Sequence, residues 1–251
     1  HVLGRKQALF RPLSEALGPD FPVFGLSIGI PEDLSRVSVK GTASAYFEEL
    51  ERYMPDTSVC LIGVSMASYF ALELAQQLRQ AGRDVCQVII LDSAGPCGQP
   101  MVRGLERILA HLKQFRRHGL RHICMMINNR RANNGAIDED RFTGNGPDAD
   151  VQMVKIVAAN TRAVNEYVPQ PYDQPIMVFR AEDSFWYSKE GLTQGLGWAG
   201  IAAGGLTLRS LPGGHLSILD PGNVNALAAC LTDAIPVNGS REAISDKFLK
   251  P

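Results

Sequence analysis

At 251 residues, with 45% hydrophobic and 20% charged side chains, the chain is long enough for one large domain with a substantial core, or a core carrying an inserted subdomain. A formal net charge of −1 gives no electrostatic footing for nucleic acid as the main partner, and the longest apolar runs fall far short of the roughly 20 residues that a bilayer span requires. The five cysteines, Cys60, Cys86, Cys97, Cys124 and Cys230, are odd in number and show no metal-ligand spacing, which fits a reducing, cytosolic setting with no metal site.

The chain opens on HVLGRKQALFRPLSEALGPDFPVFGL, which reads as a loop, a helix over 6–17 and a strand over 22–26. It begins at His1 rather than methionine, inside what reads as a motif, so the expectation is a domain excised from a longer polypeptide. Residues 27–40 carry Gly29 and Pro31 and read as a loop; residues 42–54 then show helical periodicity through Ala45, Tyr46, Leu50 and Tyr53.

Residues 58–82, SVCLIGVSMASYFALELAQQLRQAG, are the chemical centre of the reading. An apolar run, 59–62, reaches Gly63-Val64-Ser65-Met66-Ala67 and passes directly into an amphipathic pattern of Phe70, Leu72, Leu74, Ala75 and Leu78. Strand, sharp turn and helix in that order are what a nucleophile elbow needs: the serine sits on strained backbone at the strand tip, and its neighbours two residues away must be small. Gly63 and Ala67 meet that demand. The unpaired N–H groups at the start of the following helix point toward the site and stabilise negative charge there. The pentapeptide by itself is a weak signal; its place between a strand and a helix strengthens it.

Residues 85–91, VCQVIIL, form a nearly unbroken apolar strand ending at Asp92, as suits a parallel strand buried on both faces. From Gly95 to Tyr172 the alternation of strand and helix stops. Helices are expected over 101–117, 120–128 and 149–167, separated by a Gly- and Asn-rich loop at 133–147. Strands at 176–181 and 206–211 follow, then a helix over 223–234 and a polar tail over 236–251. The expected organisation is a core made of 1–94 and 173–235, with 95–172 inserted over it as a helical lid.

Alternating strands and helices imply a parallel sheet whose ligand crevice lies beyond the carboxyl ends of the strands. Ser65, Asp92, Asp183 and His215 each stand just after an expected strand. A serine hydroxyl needs a base to take its proton, and imidazole, titrating near neutrality, suits that task. Of the five histidines, His1 is terminal, His111, His118 and His122 fall in the lid, and His215 stands in Leu211-Pro212-Gly213-Gly214-His215 at a strand end. The acid that would orient the imidazole is Asp92 or Asp183 on the residues alone.

The HVLG opening with Phe10, Leu13 and Leu17, the segment PVFGL, the elbow GVSMA followed by ELAQQLRQAG, the strand end LDSAGP, the block PIMVFRAED and the closing GGHLSIL together resemble the chain-releasing type I thioesterase domains that end nonribosomal peptide synthetases, polyketide synthases and fatty acid synthases. The resemblance runs from His1 to about Ala234. It implies an α/β-hydrolase fold, a mostly parallel doubly wound sheet with a helical lid insertion. It also implies Ser65 as nucleophile, His215 as base and Asp92 rather than Asp183 as acid, with the backbone N–H groups of Met66 and Val2 forming the oxyanion hole. The first strand of that pattern should precede His1, which leaves the Val2 donor less firmly placed than Met66.

The implied activity transfers an acyl chain from the phosphopantetheine arm of an upstream carrier protein to Ser65, then releases it by hydrolysis or cyclisation, with no cofactor bound by the domain itself. A free-standing editing thioesterase, an esterase and a non-catalytic binding module stay open as alternatives. Between Met101 and Arg131 stand eight basic residues, Arg103, Arg107, Lys113, Arg116, Arg117, Arg121, Arg130 and Arg131, against one acid, Glu106. Such a surface would attract an acidic carrier and the phosphate of its arm; a solvated helix face is the blander explanation.

Overall fold

The computed structural model describes residues 7–26, 33–96, 147–184, 192, 194–215 and 217–235. Val2, Cys97, Cys124, most of the expected lid with its basic residues, and the 236–251 tail lie outside the described residues.

Four strands form one parallel sheet in the order β1 (Val59–Val64), β2 (Val85–Leu91), β3 (Ile176–Ala181) and β4 (Leu206–Leu211). β2, β3 and β4 coincide with the runs that predict them; β2 and β3, paired on both sides and covered on both faces, are apolar almost throughout, whereas β4, at the end of the described sheet, alternates as LTLRSL with Thr207, Arg209 and Ser210 exposed. Alternate side chains serve two cores: Val88, Ile90, Ile176 and Val178 belong to one cluster, and Ile89, Leu91, Met177 and Phe179 to the other.

Helices cover both faces. α2 (Val39–Tyr53), α3 (Ala67–Gln80) and part of α4 (Pro147–Glu166) pack on the first side, whereas α1 (Arg11–Leu17) and α5 (Val224–Ala234) pack on the second. α2 starts three residues before its expected position because Ser38 caps it, its hydroxyl accepting the Gly41 N–H at 3.1 Å. The expected helix over 6–17 is a 3-10 turn, Gln7–Phe10, leading into α1 with Pro12 in its first turn.

The strand expected at 22–26 does not form; those residues carry no ladder. Pro22 has no N–H to give, and a cavity of about 630 Å³ separates the segment from the free edge of β1. Leu50 and Phe70 line this cavity from the first helical layer, Phe10 and Leu231 from the second, and Ile62 from β1 itself. It lies where the sheet would continue past its edge. The segment 22–26 lines the same cavity and makes no ladder with β1.

The second half of α4, expected as part of the lid, docks on the core. Ala159 and Ala163 are buried, and Arg162 Nη2 donates to the carbonyls of Leu34 and Ser35 at 2.8 and 3.0 Å. Its end is tied to α3 through Tyr167, whose hydroxyl donates to Glu73. Burial pushes the Tyr167 phenol well up, and Glu73 beside it pushes the same way, so this hydroxyl stays a donor at any working pH.

Candidate active site

β1 ends at Val64 and the chain turns through Ser65 at φ 55°, a left-handed conformation that a non-glycine residue adopts at an energetic cost. Gly63 makes the turn possible. A Cβ there would lie 2.4 Å from Ser68 Cα and 2.6 Å from Ser68 N, both backbone atoms that cannot swing aside. Ser68 Oγ closes the turn by donating to the Gly63 carbonyl at 3.0 Å, and buried Ala67 opens α3. Ser65 is thus presented at the strand tip, with Met66 at the N-cap of a helix of 14 residues. The Met66 N–H makes no hydrogen bond within the described residues, which leaves it available to an oxyanion.

β2 delivers Asp92 to the same edge. The two strand ends are coupled through the ladder: the Ser65 N–H donates to the Leu91 carbonyl at 3.0 Å, and the Asp92 N–H to that of Phe179 at 2.7 Å. Asp92 also has a left-handed backbone, φ 45°, and is 1% exposed. Among the described residues only Ser65, Asp92 and Leu196 combine a side chain with positive φ. Strain concentrated at the ends of β1 and β2 marks that rim as the place where conformation is held for a purpose other than stability.

The imidazole comes from the loop after β4. Gly213 takes φ 101°, and its missing side chain makes room for Asn223, whose Nδ2 would sit 2.6 Å from a Cβ. Gly214 N–H donates to Ser217 Oγ at 2.8 Å and Asn223 Nδ2 to the Ser217 carbonyl at 2.9 Å, so His215 stands on a loop pinned on both sides. Its Nδ1 lies 2.8 Å from Asp92 Oδ2. An ionised carboxylate can only accept, so Nδ1–H is the donor in this contact, and in the neutral imidazole Nε2 then keeps its lone pair. The imidazole side chain remains 41% exposed while the Asp92 side chain is fully enclosed.

The sequence left two aspartates open, and the coordinates separate them. Asp183 follows β3 and ties the rim together through its backbone, its N–H donating to the Gly213 carbonyl at 3.0 Å, but the carboxylate on Nδ1 belongs to Asp92. No hydrogen bond joins Ser65 Oγ to His215 among the described residues; contacts between a nucleophile and its base are often loose before substrate binds. Val2, the other oxyanion donor that the resemblance implies, lies outside the described residues.

Three groups that sequence reasoning missed hold Asp92 and its loop. Oδ1 accepts the Ala181 N–H at 2.9 Å, Oδ2 accepts the Ser184 hydroxyl, and Trp198 Nε1 donates to the Ser93 carbonyl at 2.8 Å. Trp198 is the residue whose ring and N–H a glycine-rich stretch could have betrayed, since an indole in such surroundings is rarely left on the surface. Ser184 and the Ala181 amide carry no pattern at all.

Among the described residues no cluster of three or more His, Cys, Asp or Glu that could hold a metal is found. Likewise no described helix is long and apolar enough to cross a membrane. Cys60, Cys86 and Cys230 are free thiols, half-buried. The large cavity beside β1 touches none of Ser65, Asp92 and His215, so it is not the seat of their chemistry.

Comparison with known proteins places this rim in context. The model of the thioesterase domain family matches residues 1–234. Polyketide synthase 1 of Metarhizium brunneum is 35% identical over 103 residues, and its counterpart in Metarhizium acridum is 34% identical over the same length; the match takes in 40% of this chain but only 4% of each relative's length. Among solved structures, a four-domain nonribosomal peptide synthetase bound to AMP and glycine superposes with a TM-score of 0.67 at 22% identity, covering 95% of this chain and 19% of that one. RedJ, a thioesterase from the prodiginine biosynthetic pathway of Streptomyces coelicolor, gives 0.62 at 20% identity, covering 93% and 82%. At these identities the likeness is one of fold, that of the α/β hydrolases.

Proposed function

Because the chain belongs to the thioesterase domain family, matched over residues 1–234, we propose that it releases an acyl, peptidyl or polyketide chain from the phosphopantetheine thioester of a carrier protein, through an acyl-serine intermediate on Ser65. The observation that carries this reading is the hydrogen bond from His215 Nδ1 to buried Asp92, at the rim where Ser65 is presented on left-handed backbone.

In the proposed mechanism the free Nε2 of His215 takes the Ser65 proton as Oγ attacks the thioester carbonyl. The tetrahedral oxyanion is met by the Met66 N–H at the start of α3, and by the Val2 N–H if the family pattern holds. Collapse of that intermediate breaks the C–S bond, and the imidazolium returns its proton to the departing thiolate. Asp92 stays ionised throughout, keeping the proton on Nδ1 and offsetting the charge of the imidazolium. A second nucleophile, deprotonated by His215, then attacks the acyl ester; the C–O bond to Ser65 breaks, and the imidazolium returns its proton to Oγ. Water gives a free acid; a hydroxyl or amine of the chain itself gives a ring.

The matched relatives are many times longer than this chain, which supports a place within a multidomain synthase behind a carrier domain. A fluorophosphonate probe tests the core of the reading. The expected result is one covalent label on Ser65, abolished by Ser65→Ala and slowed by His215→Ala. Equal labelling of folded wild type and Ser65→Ala protein would reject it.

A further inference from the structure

Asp92 is bound by one side-chain group for which the mechanism above has no use. Its Oδ1 accepts the Ala181 N–H at 2.9 Å, and its Oδ2 accepts both the His215 Nδ1–H at 2.8 Å and the hydroxyl of Ser184. Ser184 is 3% exposed, and its own N–H donates to the Ala181 carbonyl at 3.0 Å. The residues from 181 to 184 thus form a tight turn at the end of β3, and each end of that turn gives one donor to the same carboxylate.

A carboxylate held only at Oδ1 can still rotate about its Cβ–Cγ bond. Donors on both oxygens stop that rotation. Each oxygen has two lone pairs in the carboxylate plane, so a hydroxyl occupying one lone pair of Oδ2 leaves the other as the direction in which the imidazole must lie. We propose that Ser184 is a positioning residue, which fixes the carboxylate plane of Asp92 and thereby the ring orientation of His215 toward Ser65. This inference rests on the reading that Asp92 and His215 serve Ser65.

Three variants of the whole 251-residue chain test it: Ser184→Ala removes the hydroxyl, Ser184→Cys keeps a group of similar size that is only a weak donor, and Ser184→Thr restores the hydroxyl. Each is assayed on a small acyl thioester, with its thermal midpoint recorded. Losing a hydrogen bond to a charged group predicts a kcat lower by roughly tenfold to a hundredfold in Ser184→Ala and Ser184→Cys. KM should change less than about twofold, and Ser184→Thr should recover most of the rate, since orientation acts on the transition state rather than on binding. Proton NMR supplies a readout independent of turnover: the resonance of the His215 Nδ1–H should move in Ser184→Ala and Ser184→Cys and stay near its wild-type position in Ser184→Thr.

Folded Ala and Cys variants with wild-type kcat, or a Thr variant as slow as they are with its midpoint preserved, would overturn the proposal, as would an unmoved Nδ1–H resonance. If the wild-type protein neither turns over thioester nor takes label on Ser65, the functional reading falls. The resonance then decides the role of Ser184 alone.

Discussion

Gly63 shows how much of the candidate site is decided by a single missing atom. The elbow folds so tightly that Ser68 Cα, Ser68 N and the Ala67 carbonyl all lie within 2.7 Å of where a Cβ would stand at position 63. Backbone atoms cannot rotate out of the way as a long side chain can, so even alanine forces the strand tip and the helix start apart. Gly63→Ala should therefore destabilise the fold by about 1–3 kcal/mol, the range for overpacking, and slow fluorophosphonate labelling of Ser65 by far more than the stability loss explains. Urea unfolding together with labelling kinetics checks both halves; labelling at the wild-type rate would show that the turn is more yielding than its geometry says. The small residues around Ser65 were legible in the sequence because sterics impose them directly. On the residues alone Asp92 was one of two candidates, since a carboxylate after a strand looks the same in sequence wherever its oxygens point, and only the family resemblance favoured it over Asp183. Ser184 was not legible: its importance lies in one hydrogen bond across 92 positions of chain.

At the level of elements, the two inner strands, β2 and β3, could be read because burial on both faces leaves little room for polar residues. The segment 22–26 has the composition of a strand but pairs with none among the described residues, and composition cannot report a partner. The last helix of the expected lid shows the same limit in reverse. A helix over 149–167 is expected from the sequence, whereas its docking depends on groups from distant parts of the chain. Glu73, on α3 and buried, accepts Gln77 Nε2 at 2.9 Å and the Tyr167 hydroxyl. Tyr69 on α3 meets the Tyr167 ring edge-on at 6.5 Å and also donates to the Ala94 carbonyl at 3.0 Å, in the loop that follows Asp92. One cluster thus ties the end of α4 to the helix behind Ser65 and to the loop behind Asp92. Tyr167→Phe keeps the ring contact and deletes the donor, leaving the Glu73 carboxylate with Gln77. The expected cost is about 1–3 kcal/mol, as for removing one partner from a buried charged acceptor. It should appear as a lower thermal midpoint with KM for a small thioester little changed. Tyr167→Phe protein with an unaltered midpoint would mean that the hydroxyl contributes nothing to holding α4 in place.

For the whole molecule, the proposed function raises the question of how a carrier-borne chain would reach the rim where Ser65, Met66 and His215 stand. Between Met101 and Arg131, outside the described residues, eight basic side chains face a single acid, yet the chain as a whole carries a net charge of only −1. Along the sequence, positive charge is therefore concentrated between Met101 and Arg131 rather than spread evenly. A local excess of that size raises the encounter rate with an acidic partner and fades as salt screens it. A small acyl thioester without a carrier has no charge for it to attract. Reversing both Arg116 and Arg117 to glutamate should accordingly raise KM for a carrier-bound substrate by about tenfold at low salt, the sum of two exposed ion-pair contributions, and leave KM for the small thioester unchanged. The gap between the two substrates should shrink as salt is added. Steady-state kinetics with both substrates at two ionic strengths makes the comparison. An equal rise for both would place these arginines in the acyl path or the fold of the insertion, and no rise for either would leave them as a solvated helix face, with carrier docking assigned to another surface.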